Sequence, residues 1–383
     1  MKFDLPSEPR EIFERARQFA EANLANRGRR IGLDRIGWEA AAEFGVFRQA
    51  ASSAERGRGR GALASVAMLE GMGRGGADRG LLFAIGAHLF GCLVPLSIHA
   101  GRSRAAQSWQ APLRDGTVIG ALAVTEAGGG SSLEHIETTM VETTGGYVLT
   151  GTKTLIGDAP EAGVFLVLAR QFPERGPLGL TALLVPADVR GLTVTPIPTT
   201  GLPGLPMGDV VFDQCSVPAD AVLGGHGAGL RVFATAMQWE RSCLLSGFLG
   251  AAERDLDACL ATLRDRGGRQ GSLLRHQAVA HRLARIKLGL DGARLLVYRA
   301  ANFLDEGHDD HAAAAMAKLA ASEAIVAAAE DGLRLIAGLA WRTQPIDYAA
   351  ALSDSLGGLS ASGTSEIQLE IVARSLQAGQ RGS

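Results

Sequence analysis

Residues 117–126, Thr-Val-Ile-Gly-Ala-Leu-Ala-Val-Thr-Glu ("TVIGALAVTE"), stand where the hydrophobic period of this chain changes. Upstream, from residue 8 to about 113, apolar residues recur every three or four positions and each run closes on Gly or Pro, which predicts several short helices. Downstream, "GYVLTGTKTLI", "VFLVLAR", "LTALLVPA", "LTVTPIP" and "DVVFDQCSV" alternate or run apolar between Gly, Pro and Asp turns, as strands do. No long helical stretch separates them, so an antiparallel barrel or sandwich is expected rather than a doubly wound parallel sheet. After "GGHGAGL" (224–230) the helical period returns at about 228–264, 274–305, 311–339 and 346–376, which predicts a four-helix bundle. The reading is thus an α+β multidomain protein: an N-terminal helical domain (1–117), a middle β-barrel domain (118–224) and a C-terminal four-helix bundle (225–383).

Composition narrows the partners. Against 40 Asp and Glu the 383 residues carry 38 Lys and Arg, a formal charge of −2, so no global field recruits nucleic acid or an anionic membrane. Cys92, Cys215, Cys243 and Cys259 are widely spaced with no Cys-x-x-Cys pair, and the N-terminal stretch lacks an apolar signal core; reduced thiols and a cytoplasmic location follow. None of the eight His has ligand spacing such as His-Glu-x-x-His, so no metal is expected. The run 81–100, "LLFAIGAHLFGCLVPLSIHA", has the length of a membrane span. Gly86, His88, Gly91, Pro95 and His99 within it favour a buried core helix. The Gly-rich 224–229 segment lacks the Gly-Lys-Ser/Thr of a P-loop and reads as a turn.

One short stretch sets an acid and a base inside an apolar helical run: Gln238-Trp239-Glu240-Arg241-Ser242-Cys243-Leu244-Leu245. Glu240 is either a working carboxylate or half of an ion pair with Arg241. Trp239 beside it is a core residue or the wall of a pocket.

Five motifs carry a resemblance over nearly the whole chain. They are "ALAVTEAGGGSS" (121–132), "GYVLTGTKTLI" (146–156), "DVVFDQCSVPADAVLGGHGAGL" (209–230), "ARLLVYRAA" (293–301) and "SGTSEIQLEIVAR" (362–374). In this order and spacing they resemble the acyl-CoA dehydrogenase family. The resemblance implies oxidation of an acyl thioester, on CoA or a carrier protein, between Cα and Cβ, with FAD as hydride acceptor and a carboxylate removing the α-proton. It also implies a homo-oligomer, dimer or tetramer. Most relatives supply the base from a Tyr-Glu-Gly-Thr motif, which here reads Ala361-Ser362-Gly363-Thr364. A minority, including the isovaleryl- and long-chain enzymes and the prolyl-carrier-protein oxidases, place the Glu before an Arg on the first bundle helix, which is Glu240-Arg241 here. Glu240 is therefore the expected catalytic base, with Arg241, Trp239 and Ser362 around the substrate. By the same likeness Thr125, Ser131, Gly157, Arg266, Gln277, Gly338, Thr364 and Glu366 fall at FAD positions; Thr364 could equally cap a helix.

Departures from the family pattern cluster around the flavin. Leu155 replaces a covering aromatic residue, Gly157 a Thr near flavin N5, Arg269-Gln270 a Phe-Gly pair, and Arg334 a Gln; the Gly-Gly-x-Gly turn reads Ala337-Gly338-Leu339-Ala340. These changes keep open a flavin-free enzyme of the same fold that performs isomerisation, elimination or cyclisation, or a catalytically silent partner subunit. The basic loop with Arg56, Arg58 and Arg60 is a candidate dock for an acidic carrier protein.

Overall fold

The computed structural model describes residues 7–25, 27–55, 61–101, 103–265, 271–336 and 347–379. Arg56, Arg58, Arg60, Arg266, Arg269, Gln270 and Ala337–Ala340 lie outside the described residues.

The N-terminal part is helical, as the spacing predicts. Helix α1 (Ser7–Asn23) packs on α4 (Ala62–Arg74), while α2 (Arg35–Phe44) and α3 (Val46–Glu55) flank them. The apolar run folds as α5 (Arg79–Gly86), a π-helical stretch Ala87–Leu93 and α6 (Val94–His99) without a break. Asp78 starts it by accepting from Gly80 N and Leu81 N, 2.8 and 3.2 Å. By length and composition this helix and α11 (His311–Ile336) could each cross a membrane; here the first is almost wholly enclosed by protein. His88 ties it to the next domain. Its Nδ1 accepts from Gly120 N at 3.0 Å, which leaves Nε2–H to donate to Leu113 O at 3.0 Å. Burial holds that imidazole neutral, with its pKa pushed down to about 4.

The middle part contains β1 (Gly120–Ala123), β2 (Thr139–Thr143), β3 (Gly146–Gly157), β4 (Val164–Arg170), β5 (Leu180–Pro186), β6 (Leu192–Ile197), β7 (Met207–Pro218) and β8 (Val222–Leu223). They form one sheet in the order β6-β7-β3-β2-β4-β5-β8, with β1 added beside β4. Most neighbours are antiparallel, as expected, but β1 runs parallel to β4 and β2 meets β4 through a parallel bridge at Thr139 and Arg170. The path is also open: among the described residues no ladder joins β6 to β8. Period-two patterning reports which face is buried, not the direction of the neighbouring strand, so neither departure was visible in it. β4 reads as an unbroken apolar run because both its faces are covered. Phe165 and Val167 enter the core of the sheet domain, and Leu166 and Leu168 enter the core shared with the helices.

Among the described residues the C-terminal bundle is built from α8 (Gly229–Cys243), α9 (Ser246–Asp265), α10 (Gln277–Asp305), α11, α12 (Tyr348–Ser360) and α13 (Ser365–Gly379). The expected 228–264 helix breaks at Leu244–Leu245, and the expected 346–376 helix breaks at 361–364. Small residues let the bundle reach the N-terminal helices at backbone distance. A Cβ on Gly73 of α4 would fall 1.9 Å from Gly247 O of α9, and one on Gly250 would fall 2.0 Å from Glu70 O. Buried Glu70 is matched from α10 by Arg294 Nε at 2.5 Å and Tyr298 Oη at 2.7 Å.

A second buried carboxylate organises the sheet domain. Glu126, which follows β1, accepts from Lys153 Nζ (2.7 Å), Thr138 Oγ1 (2.5 Å), Thr138 N (3.0 Å) and Glu137 N (2.6 Å); Lys153 also donates to Val124 O at 3.0 Å. Lys153 is fully buried, and burial draws its pKa down to about 8 while Glu126 opposes the shift. Removing one member of such a pair leaves the other charge without its match. Lys153→Met should therefore lower the unfolding free energy in urea by about 3 kcal/mol; a loss under about 1 kcal/mol would show that Thr138 and the Glu137 amide suffice.

Candidate active site

Glu240 lies on α8, the helix that passes between the N-terminal run and α11. Its carboxyl group is buried and pairs with Ser362, whose Oγ donates to Oε2 at 2.6 Å. Oε1 points toward the π-helical stretch, where a Cβ on Gly91 would stand 2.8 Å from it and 3.2 Å from Leu122 Cβ. With no side chain at 91, Oε1 lies close against the backbone of the π stretch. A π turn re-aims one residue of an otherwise regular helix, and such turns are common at functional sites.

The alternative reading, an ion pair between Glu240 and Arg241, is not what these residues make. Arg241 Nε donates to the backbone oxygen of Ser362 at 3.0 Å, while Glu240 accepts from the Ser362 hydroxyl. Both side chains thus hold the same residue by different atoms. Burial raises the Glu240 pKa to about 7, with the Ser362 hydrogen bond and the Arg241 charge opposing. Trp239 packs into the core and stacks on Phe90, centroids 6.1 Å apart.

The Gly-rich loop after Glu126 lies beside β3. Thr154 N donates to Thr125 O at 2.8 Å, and a Cβ on Gly130 would approach Thr125 Cγ2 to 3.2 Å. Leu155 has φ +55° and is 59% exposed, an uncovered apolar side chain on the same strand end. A Cβ on Gly157 would meet only Leu205 and Met207, at 3.7 and 3.8 Å, and one on Gly128 or Gly129 would meet nothing. Hydroxyls at Thr125 and Ser131, glycine backbone and an open apolar face suit a ligand with a phosphate and a flat ring. FAD has both, and this donor set fits it.

Other expected positions disperse. Thr364 Oγ1 accepts from Ile367 N at 3.4 Å and so caps α13, with exposed Glu366 in that helix's first turn. Gln277 is exposed at the start of α10, a helix that packs on α4, α8, α9 and α11 rather than on the sheet. Arg334 pairs with Glu330 of its own helix. The sequence reading missed Gly91 and the Glu126–Lys153 pair. The first is one glycine among 50, and the second joins residues 27 apart.

Residues 121–215 match the family described as acyl-CoA dehydrogenase, middle domain, and 227–377 match its C-terminal domain. The chain belongs to the acyl-CoA dehydrogenase family. An L-prolyl-[peptidyl-carrier protein] dehydrogenase of Pseudomonas fluorescens is 35% identical over 342 residues, 89% of this chain and 90% of that protein. Its namesake from a Serratia strain is 34% identical over the whole length of both. A solved structure titled "PigA with FAD and proline" superposes with a TM-score of 0.92 at 33% identity, covering 98% of this chain and 99% of that one. The chain is an acyl-CoA dehydrogenase-type oxidoreductase.

A buried acid whose folded pKa stands above its ordinary 4.5 keeps its proton more tightly when folded. Its stabilising contribution is complete below about pH 4.5 and is lost as pH rises through 7. Glu240→Gln removes that penalty, so the variant should gain up to about 3 kcal/mol over the parent at pH 8.5. The gap should close near pH 4.5. Equal melting curves for the two proteins at pH 8.5 would mean that Glu240 is solvated.

Proposed function

We propose that this chain is an FAD-dependent dehydrogenase that oxidises an acyl thioester between Cα and Cβ, with Glu240 as the α-proton base and a carrier-bound L-prolyl thioester as substrate. One observation carries the reading: a buried carboxyl group with one oxygen held by the Ser362 hydroxyl and the other directed at Gly91, which has no side chain to cover it. Burial brings its proton affinity near that of the working pH, which is where a general base is effective. FAD, when bound, supplies the acceptor for the hydride that leaves Cβ as the proton leaves Cα. Within this chain Glu240 Oε1 takes the proton, Ser362 fixes the carboxyl plane, and Arg241 holds the backbone of Ser362 in place. Thr125, Ser131 and Gly157 would hold the flavin end of FAD; Arg266, Gln277, Gly338, Thr364 and Glu366 are the positions the family likeness assigns to the rest. The prolyl group and its carrier rest on the two relatives of that name, which match most or all of this chain at about one-third identity.

A homo-oligomer in the cytoplasm is the companion inference. Its support is an apolar stripe on α10, where Ala284, Leu288, Gly292 and Leu295 share one exposed face, together with four cysteines that are all buried and free.

The purified protein should show flavin absorption bands and reduce its flavin on mixing with prolyl-loaded carrier protein, faster than with acyl-CoA; a faster response to CoA esters would reassign the substrate. Glu240→Gln should slow flavin reduction by about 10²- to 10⁴-fold, and kcat/KM of the parent should rise with pH through about 7 to a plateau. Retention of more than a tenth of the parent rate would remove Glu240 from the role. Light scattering on Leu288→Glu/Leu295→Glu should give a lower mass than the parent; an unchanged mass would place any subunit contact elsewhere.

A further inference from the structure

Ser362 is one of five non-glycine residues with positive φ among those described, at +57°, and it is followed by Gly363 at +97°. An L residue holds this conformation only where its surroundings impose it. Here the clamps are visible. Arg241 Nε donates to the Ser362 carbonyl at 3.0 Å, and Gln368 Nε2 donates to the same oxygen at 3.2 Å and to Gly363 O at 2.9 Å. One residue of the loop between α12 and α13 is thus fixed from α8 and from α13, and the fixed side chain is the hydroxyl on Glu240 Oε2. Asp354 of α12 steadies the approach to this loop, accepting from Leu202 N at 2.6 Å and from Arg29 Nη2 at 2.7 Å.

We infer that Ser362, held in the left-handed conformation by Arg241 and Gln368, is a positioning residue that sets the proton affinity and orientation of Glu240 through its hydroxyl. The inference rests on the reading of Glu240 as base and replaces the expectation that Ser362 contacts substrate. The hydroxyl can donate to one carboxylate oxygen only, which leaves Oε1 as the proton acceptor on the Gly91 side. A donor to the ionised form favours that form. Ser362 therefore counters the burial that pushes the group toward the neutral acid.

Several charged or titratable groups surround α8. Arg241 lies on the helix itself. Lys318 of α11 is buried and donates to Leu359 O at 2.9 Å, with Glu323 and Glu366 also acting on it. His99 of α6 bonds Thr235, and Asp305 of α10 acts on Cys243. The π stretch presents Gly91, which has no charge. Among these, Ser362 and Arg241 are the groups that oppose burial at Glu240. Because Arg241 stays when Ser362 is changed, the hydroxyl can be tested separately from the charge.

The test uses the FAD-loaded protein and two readouts: the pH dependence of kcat/KM, and the infrared band of the protonated Glu240 carboxyl, assigned by its loss in Glu240→Gln. Ser362→Ala removes the hydroxyl at an unfavourable φ, whereas Ser362→Gly removes it and relaxes the backbone, so at least the glycine variant is expected to fold. Both should move the acid limb and the carboxyl titration upward by about one pH unit. The lost rate should be regained on raising the pH. Ser362→Asn, which tolerates the left-handed region and keeps a donor, should restore part of the shift. An unmoved titration in the glycine variant, with rate loss equal at all pH, would overturn the inference while leaving Glu240 as base. A fully active Glu240→Gln would instead remove the base and leave the infrared shift to decide what Ser362 does.

Discussion

A carboxyl group enclosed by protein must either give up its charge or find donors, and the arrangement at Glu240 lies between these outcomes. Burial favours the protonated acid; one hydroxyl and a nearby guanidinium favour the carboxylate. The balance falls near neutrality because the guanidinium is engaged elsewhere, on the carbonyl of Ser362. Had Arg241 bonded the carboxylate directly, the proton would be held far less tightly and the group would be a poor base. The Ser362 loop therefore does two things at once: it diverts a cation and supplies a hydroxyl.

Holding that loop requires all three parts of the chain. The N-terminal run contributes Gly91, and the loop at Leu202 after β6 takes the Asp354 carboxylate that lies ahead of Ser362. The bundle supplies Arg241 and Gln368. Close backbone packing between α4 and α9 and the Glu70–Arg294–Tyr298 contacts keep the first and last parts in register. Across β3, the Glu126–Lys153 pair gives the Gly-rich loop a fixed root, which a loop offering glycine backbone to a large cofactor needs. Two buried acids are thus treated oppositely. Glu126 accepts four hydrogen bonds and is structural; Glu240 accepts one, from Ser362, with its other oxygen toward Gly91.

Much of this was legible in the chain itself. The switch of hydrophobic period near 117 and back near 228 located the strands and the bundle, because burial on one face of a helix or strand leaves a periodic trace. Glu240 stood out because an acid within an apolar helical run has few ordinary uses. Direction of pairing left no such trace, so the parallel β1–β4 ladder was missed. The helix break at 361–364 was also missed, since Ser-Gly-Thr reads equally as a cap within a continuing pattern.

The sequence by itself determined the order of helix, sheet and bundle and the family, and it singled out the carboxylate proposed here as the base. Only the tertiary structure decided what that carboxylate touches. Ser362 and Glu240 are 122 positions apart, and Gly91 is farther still from Ser362. Proton affinity depends on solvent exclusion and on donors within about 3 Å, and neither quantity exists until segments that distant in the chain have packed together.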